Sequence, residues 1–468
     1  MPSLPRVLLI ATDTIGRQMA GPGIRYWNLA RILATQQPVT LAVQDLPSLD
    51  PPPGVSIVPY GEGDRSRQGK YLAELAGEHE VIVSQMPPYL YFDEELIAKR
   101  HMVIDLYAPW YLEKLEYARV DPGRGEPLRA DDLEILQRLL EIGDFYICAS
   151  ERQRDFWLGS LTVAGRLNTR QLEVDPEMRS LIDIVPIGLS DKRPIPNGPG
   201  PREIYPFIDP HDPIMLWNGG IWNWLDPVTA IQATYQLVNE GYNPRLIFMG
   251  VKSPSLEIAE MELVESARNL ASKLDLEGRH VIFNDWVAYD QRQNWLLQSA
   301  MTLSLHQPTI ESRFAFRTRI LDNLWCRVPA VATEGDVLAD LVASHGLGRV
   351  VPPANPRAVA EAMLSILNAN KGGEIRRRIG TVAKSYTWEQ VSEPLLRYCS
   401  APWKNRPGAD TEDYVHKLER LYAETAEYAR SLEQAIEEKN HALEELERLP
   451  QQERTPWNKR LQVWKRNV

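Results

Sequence analysis

One feature constrains the fold more than any other. Short apolar runs alternate with helix-patterned segments, and the series runs twice, on either side of a proline-rich break. In the first half the runs Arg6–Ala11, Val39–Val43, Val55–Pro59, Val81–Ser84, Met102–Leu106 and Phe145–Ala149 read as buried strands. Ile24–Ala34 and Asp131–Glu141 read as helices between them, the former with Tyr26, Trp27, Leu29, Ala30 and Leu33 on its apolar side. Strand, helix, strand at this spacing predicts a parallel sheet covered by helices on both faces. The break, Ser190–Pro213, holds Pro194, Pro196, Pro199, Pro201, Pro206, Pro210 and Pro213. Such a stretch is expected to form neither helix nor central strand and to act as a linker.

A second series follows. Ile214–Trp217, Arg245–Met249, Val281–Phe283, Met301–Leu305 and Ala330–Ala332 are the expected strands. Pro227–Glu240, Leu256–Leu274, Arg319–Trp325 and Pro356–Asn368 are the expected helices. The 468 residues accommodate two or three domains. We therefore expect an α/β chain with a Rossmann-like domain over 1–190, a linker over 191–213, a second Rossmann-like domain over 214–385, closing helices and linker over 386–411, and a helical tail over 412–468.

That tail has a different composition. From Tyr414 to Glu447 there is neither Pro nor Gly, and Leu418, Tyr422, Thr425, Ala429, Leu432, Ile436, Lys439, Leu443 and Leu446 step alternately by four and three. This is a heptad seam, interrupted at Thr425 and Lys439, and predicts either a coiled coil joining copies of the chain through residues 412–448 or a single amphipathic helix folded back on the body. After Pro450, Trp457 and Trp464 alternate with Lys459, Arg460, Lys465 and Arg466, a composition suited to an anionic membrane surface.

Charge and cysteine content narrow the class. Lys and Arg total 52 and Asp and Glu 63, a net charge of −11, which argues against a general nucleic-acid binder. Cys148, Cys326 and Cys399 lie far apart in the sequence, so a reducing, cytoplasmic setting is expected. Val7–Ala11 is too short for a secretory apolar region, and no apolar stretch has the length of a membrane span. Any membrane contact would then be peripheral, at the inner surface.

Two sheets facing one another across a linker create a crevice at their carboxyl ends, where ligands bind. The loop Ala20-Gly21-Pro22-Gly23 follows the first strand and precedes a helix; Gly21 and Gly23 let a ligand approach the backbone, and the helix offers N–H groups to an anion. Neither a GxGxxG nor a Walker A pattern is present there, and a tight turn explains the glycines equally well. Gly219 and Gly220, after the first strand of the second domain, repeat the arrangement. The richest stretch runs from Leu305 to Gly335. It places Glu311, Arg313, Arg317 and Arg319 in a loop past a strand end, and Asp322 on the helix that follows. Guanidiniums suit a diphosphate, and carboxylates suit sugar hydroxyls. Asp105 ends a strand of the first domain, where it can orient an acceptor or take its proton, or simply cap a turn. No Asp-x-Asp pair or His cluster points to a metal.

The stretch Leu321-Asp322-Asn323-Leu324-Trp325 with Val328-Pro329-Ala330-Val331-Ala332-Thr333 resembles the second half of the donor motif of the retaining glycosyltransferases of family 4, the group 1 enzymes of GT-B fold. Ile147–Glu151, Val185–Leu189 and Tyr386-Thr387-Trp388 resemble further segments of that family, so the similarity spans residues 5–400. The family's motif has two glutamates separated by seven residues. Asp322 stands at the second, but the first falls on Phe314, with Glu311 three residues earlier. The family's Arg and Lys after the first strand of the second domain are replaced by Ile221-Trp222-Asn223-Trp224-Leu225. The Arg317-x-Arg319 spacing resembles a divergent branch that builds surface polysaccharides.

The resemblance implies a GT-B fold and transfer of a sugar, with retention, from a nucleoside-diphosphate sugar to a glycan or lipid-linked acceptor. It implies no metal and no cofactor beyond that donor. Arg317 and Arg319 would hold the diphosphate, Asp322 the ribose and Glu311 the donor sugar. Two other readings stay open at this point: an epimerase of the same fold acting on the sugar nucleotide, and a non-catalytic scaffold assembling partners through the tail.

Overall fold

The computed structural model describes every residue except 1–3, 18, 86–87, 121–129, 252–261, 370–372, 406–408 and 449–468. Residues 1–406 form one compact unit and 407–468 a second.

The first unit contains two parallel sheets. One is built from β1 (Val7–Ile10), β2 (Val39–Val43), β3 (Val55–Pro59), β4 (Val81–Ser84), β5 (His101–Asp105), β6 (Phe145–Cys148) and β7 (Ile182–Ile184), in the order β3-β2-β1-β4-β5-β6-β7. The other is built from β8 (Ile214–Trp217), β9 (Arg245–Phe248), β10 (Val281–Phe283), β11 (Met301–Ser304), β12 (Ala330–Thr333) and β13 (Gly348–Val351), in the order β10-β9-β8-β11-β12-β13. The two orders reverse at β1/β4, where Val7 pairs with both Val39 and Val81, and at β8/β11. Most inner strands are buried along their whole length, which is why they read as unbroken apolar runs.

Two strands lacked that signature. β7 is the three residues Ile-Asp-Ile, and β13 opens on Gly348-Arg349. A Cβ on Gly348 would lie 1.9 Å from the Ala330 carbonyl oxygen, so this strand reaches its neighbour only with glycine there. Two further expectations are corrected. The helix expected from Ile24 begins at Gly21, because Pro22 is tolerated in a first turn. The proline-rich break contains one short helix, Pro201–Ile204, with its proline again in the first turn.

The second sheet does not end its unit. The chain crosses back to the first sheet beside the outgoing crossing: Leu189 N–H donates to Tyr386 O at 2.6 Å and Trp388 N–H to Leu189 O at 3.0 Å. Gly188 makes the contact sterically feasible, since a Cβ there would sit 2.6 Å from the Trp388 Cα. The helix Glu393–Ser400 then lays Tyr398 flat on Phe145 of β6, with ring centroids 4.7 Å apart, and Trp403 donates its indole N–H to Ser180 O at 3.0 Å. Residues 388–405 therefore complete the core of the first domain.

The second unit is described as the single helix Ala409–Arg448. Tyr422, Leu432, Ile436 and Leu443 of the expected seam are exposed along it. The Trp and basic residues after Pro450 lie outside the described residues. Among those that are described, no helix is long and apolar enough to cross a membrane. Cys148, Cys326 and Cys399 are buried and unpaired with one another.

The returning segment yields a stability expectation. Trp388 is fully buried against both crossings, so Trp388→Ala should cost about 3–5 kcal/mol. Urea denaturation of the two proteins measures it; an unchanged midpoint would mean the return crossing contributes nothing to the first domain.

Candidate active site

The carboxyl ends of both sheets open onto one cavity of about 690 Å³, a volume suited to a small-molecule substrate. From the first domain come Ala20, Gly21 and Pro22, Gln85 after β4, Asp105 and Tyr107 at the end of β5, and Trp110 and Glu113 on the helix Trp110–Val120. From the second come Trp222 and Trp224 after β8, then Glu311 and Ala315–Arg319 after β11. Both places where strand order reverses thus face the cavity, as expected for ligand sites in doubly wound sheets.

Asp105 lines this cavity but is not free. Arg25, from the helix Gly21–Leu33, grips it at both oxygens, Nε to Oδ2 at 2.7 Å and Nη2 to Oδ1 at 2.9 Å, with both side chains fully buried. Nη1 of Arg25 donates to Val185 O at 2.6 Å. Asp105 therefore fixes the end of β5 against the first helix. Gly21 touches the cavity, whereas Gly23 serves packing: a Cβ on it would meet the Thr14 carbonyl oxygen at 2.4 Å. The helix has no acidic residue in its first turn and no side-chain cap at Ala20, and Asp13 lines the cavity beside it.

Across the cavity, Glu311 and Arg317 form a second gripped pair, Nη1 to Oε1 at 3.0 Å and Nη2 to Oε2 at 2.6 Å. Nε of Arg317 lies 4.0 Å from Asp336, which caps the helix Val337–His345 and stands 3.3 Å from Nε2 of His306. Arg317 is thereby neutralised. Arg319 is not. Its Nη2 donates to Gly220 O at 3.1 Å, its guanidinium sits over the Trp217 ring at 5.2 Å, and buried Nη1 has no hydrogen-bond partner. Burial, with Arg317 as a like-charged neighbour, pushes its pKa down to about 9. A positive charge held this way, on the cavity wall, is a standing invitation to an anion. Gly219, with φ of +137°, and Gly220 leave room for it, the nearest atom to an added Cβ on Gly219 being its Nη2 at 3.6 Å.

Asp322 stands apart from the cavity wall. It is partly exposed and pairs with Arg292 at 2.9 Å, whose guanidinium stacks over Tyr289 and Trp325. Phe314, the position where the family motif has its first glutamate, packs on Phe156 of the first domain with ring centroids 4.7 Å apart, and its carbonyl accepts from Gln153 at 2.8 Å. That position joins the two domains here.

Two features escaped the sequence reading. Trp222 and Trp224 stack in parallel, 5.8 Å between centroids, and line the cavity where the family's basic pair would stand. Glu113 lines it from the first domain, and burial beside Glu311 pushes its carboxyl up to about 7, against a smaller opposing pull from Arg317. Its place in the first turn of a helix following a strand end was the available signal. Among the described residues, no group of three His, Cys, Asp or Glu side chains is placed to hold a metal ion.

Comparison with known proteins places this geometry. Residues 212–369 match the family model of the glycosyl transferases group 1. The sucrose-phosphate synthase of Thermosynechococcus elongatus superposes with a TM-score of 0.60 at 16% identity, covering 84% of this chain and 98% of that one. Anabaena HepE, solved with UDP and glucose, gives 0.55 at 14% identity over 85% and 100%. WaaG, a glycosyltransferase involved in lipopolysaccharide biosynthesis, gives 0.56 at 15% identity over 84% and 100%. No curated protein sequence matches the chain. Fold and family match together define the class, a glycosyltransferase of GT-B fold. The match to the group 1 model covers residues 212–369, within and just before the second domain. The match favours sugar transfer over the epimerase and scaffold readings.

Arg319 carries a stability prediction of definite sign. Its folded-state pKa is depressed from 12.5, so its charge costs stability in full below about pH 9 and progressively less above that. Arg319→Leu should raise the melting temperature at pH 7 while weakening nucleoside-diphosphate binding, a trade of affinity against stability. Differential scanning fluorimetry with and without UDP tests both halves; a lower melting temperature without ligand would refute the charge argument.

Proposed function

We propose that the protein transfers a sugar from a nucleoside-diphosphate sugar to a hydroxyl of a glycan or lipid-linked acceptor. The observation that carries this reading is the unneutralised Arg319 guanidinium on the cavity wall, opposite a helix with no acidic residue in its first turn. As the sugar–phosphate bond breaks, negative charge builds on the diphosphate. Donors already aimed at it lower the barrier without having to reorganise. Arg319 and the N–H groups around Gly21 take that part in this reading, with Arg317 behind them. Glu311, fixed by Arg317, faces the donor sugar, and Gly219 and Gly220 admit the donor close to the backbone.

Asp322 on the ribose is the least direct assignment, since Arg292 already holds it; in this reading the ribose adds to that pair. Asp105 acts through Arg25, keeping the acceptor side of the cavity in register. The leaving group's charge is met by protein groups, so no metal ion or cofactor is assigned a part. Retention of configuration rests on the resemblance to family 4. HepE, solved with UDP-glucose, supports a uridine nucleotide as the first donor to try.

The exposed Tyr422, Leu432, Ile436 and Leu443 support pairing of the tail with a second copy, residues 412–448 forming the seam. The basic, tryptophan-bearing end would bring the enzyme to the cytoplasmic face of an anionic membrane, where a lipid-linked acceptor resides.

Three outcomes are expected. A panel of sugar nucleotides should yield nucleoside-diphosphate release that glycan acceptors accelerate, and Arg319→Ala should slow it about a hundredfold or more; a coupled assay with no release from any donor would overturn the reading. Asp322→Ala should weaken nucleoside-diphosphate binding by about 1–3 kcal/mol, read by calorimetry. Deleting residues 412–468 should leave that binding intact, lower the mass seen by light scattering and reduce sedimentation with anionic vesicles; a full-length protein already monomeric and indifferent to vesicles would refute the tail's part.

A further inference from the structure

A second cavity, of about 390 Å³, lies where the chain crosses between the two domains. Three segments enclose most of it. The outgoing linker supplies Leu189 to Pro194, the end of the helix Arg319–Cys326 supplies Leu324 to Arg327, and the returning chain supplies Gly380, Ala383, Lys384 and Thr387. Its floor is apolar, with Leu189, Leu297, Leu324, Trp325 and Ala383. Its rim is cationic, with Lys192, Arg193, Arg327 and Lys384 against the one carboxylate of Asp191. Among the described residues, none of these four cations forms an ion pair. Such a cluster stands out on a chain of net charge −11, because like charges gathered in one place repel until an anion joins them.

Arg327 shows that the rim is built for its charge. It ends its helix in the left-handed conformation, with φ of +56° and ψ of +41°, a place that glycine usually takes. Its side chain lies against the helix Glu374–Val382 at Gly380, where an added Cβ would stand 2.9 Å from Nε and 3.0 Å from Cζ. A strained backbone at one position and an absent side chain at the other together seat a single guanidinium at the cavity. Behind it, Arg376 donates to Arg327 O at 3.1 Å and to Ser299 O at 3.4 Å, both of them carbonyls. Trp325 donates its indole N–H to Lys192 O at 2.8 Å, which holds the linker's cations against the second domain.

We propose that this cavity is an effector site for a small phosphate ester, with Lys192, Arg193, Arg327 and Lys384 on the phosphate and the apolar body of the ester on Leu324 and Trp325. Guanidinium and ammonium groups meet a phosphate dianion through charge-assisted hydrogen bonds. The apolar floor favours an ester over free phosphate, and the volume suits a body of about one ring. The site shares no lining residue with the cavity at the carboxyl ends of the sheets, so the inference stands whether or not the protein transfers a sugar. The ligand touches the outgoing and the returning segment at once. Its binding therefore fastens them to one another beside the hydrogen bonds of Leu189 to Tyr386 and of Trp388 to Leu189, and is coupled to opening of that connection.

Phenyl phosphate is the probe, used on the full-length protein. Calorimetry should show it binding to Arg319→Ala, whose larger cavity lacks its free cation. Adding Arg327→Gly or Lys384→Ala should weaken that binding about tenfold or more. Arg327→Gly also controls for folding, since glycine suits the left-handed backbone there, and its melting temperature should not fall. Inorganic phosphate should bind about tenfold more weakly than phenyl phosphate. Filling the site should slow hydrogen exchange of the Leu189 and Trp388 amides about threefold or more. Absence of binding, binding lost in Arg319→Ala alone, or an affinity that neither rim variant changes overturns the site. Equal affinity for inorganic phosphate overturns the ester, and unchanged exchange at both amides overturns the effector role.

Discussion

The neutralisation of Arg317 by Glu311 governs the electrostatics of the cavity. Because that pair is closed and backed by Asp336, the next guanidinium along the loop, Arg319, has no carboxylate left to meet it. Two arginines paired with two acids would make an ordinary structural network. One pair plus one unmatched cation makes a site with net attraction for an anion, bounded by an aromatic wall and two glycines. The same pair also sets the first domain's chemistry, since Glu311 is the charge that raises Glu113.

The first domain shows the converse use of charge. Arg25 and Asp105 are both buried, and the pair spans the first helix, the end of β5 and the segment before the linker through Val185. Removing one partner of such a pair typically costs about 3–5 kcal/mol, because the other is left buried and unmatched. This is a strut, and it holds the Gly21 loop at a fixed place on the cavity rim. The unmatched Arg319 and the matched Arg25 differ in chemistry only through what stands beside them.

Most of the sheet was legible because parallel strands covered on both faces read as continuous apolar runs. β7 and β13 were not legible, since Asp183 and Arg349 break the run and Gly348 removes the side chain that marks a strand. The site was legible in part. Strand ends and loops holding Glu311, Arg317, Arg319 and Gly219–Gly220 announce themselves by charge and glycine content. What these residues do depends on partners that spacing cannot supply. Asp105 looks like a free strand-end carboxylate until Arg25, 80 residues away, is placed on it. Phe314 looks like a lost glutamate until Phe156 of the other domain packs against it. Glu113 carries no motif at all, and its significance appears only when its helix meets that of Glu311. Asp322 illustrates the opposite error: a motif position well matched in sequence, yet paired with Arg292 away from the cavity wall.

The paired crossings beside Leu189 have a mechanical consequence. A single linker between two domains leaves them free to swivel about the chain as well as to bend. Here the outgoing and returning segments run side by side and are bonded to one another at Leu189, Tyr386 and Trp388. Two adjacent straps resist torsion about their common direction, and what remains is flexure across them. The straps and the contact of Phe314 with Phe156 join the two domains at separate places. Registry across the cavity is written into the connectivity of the backbone, more than sixty residues in sequence from the Glu311–Arg317 pair that needs it.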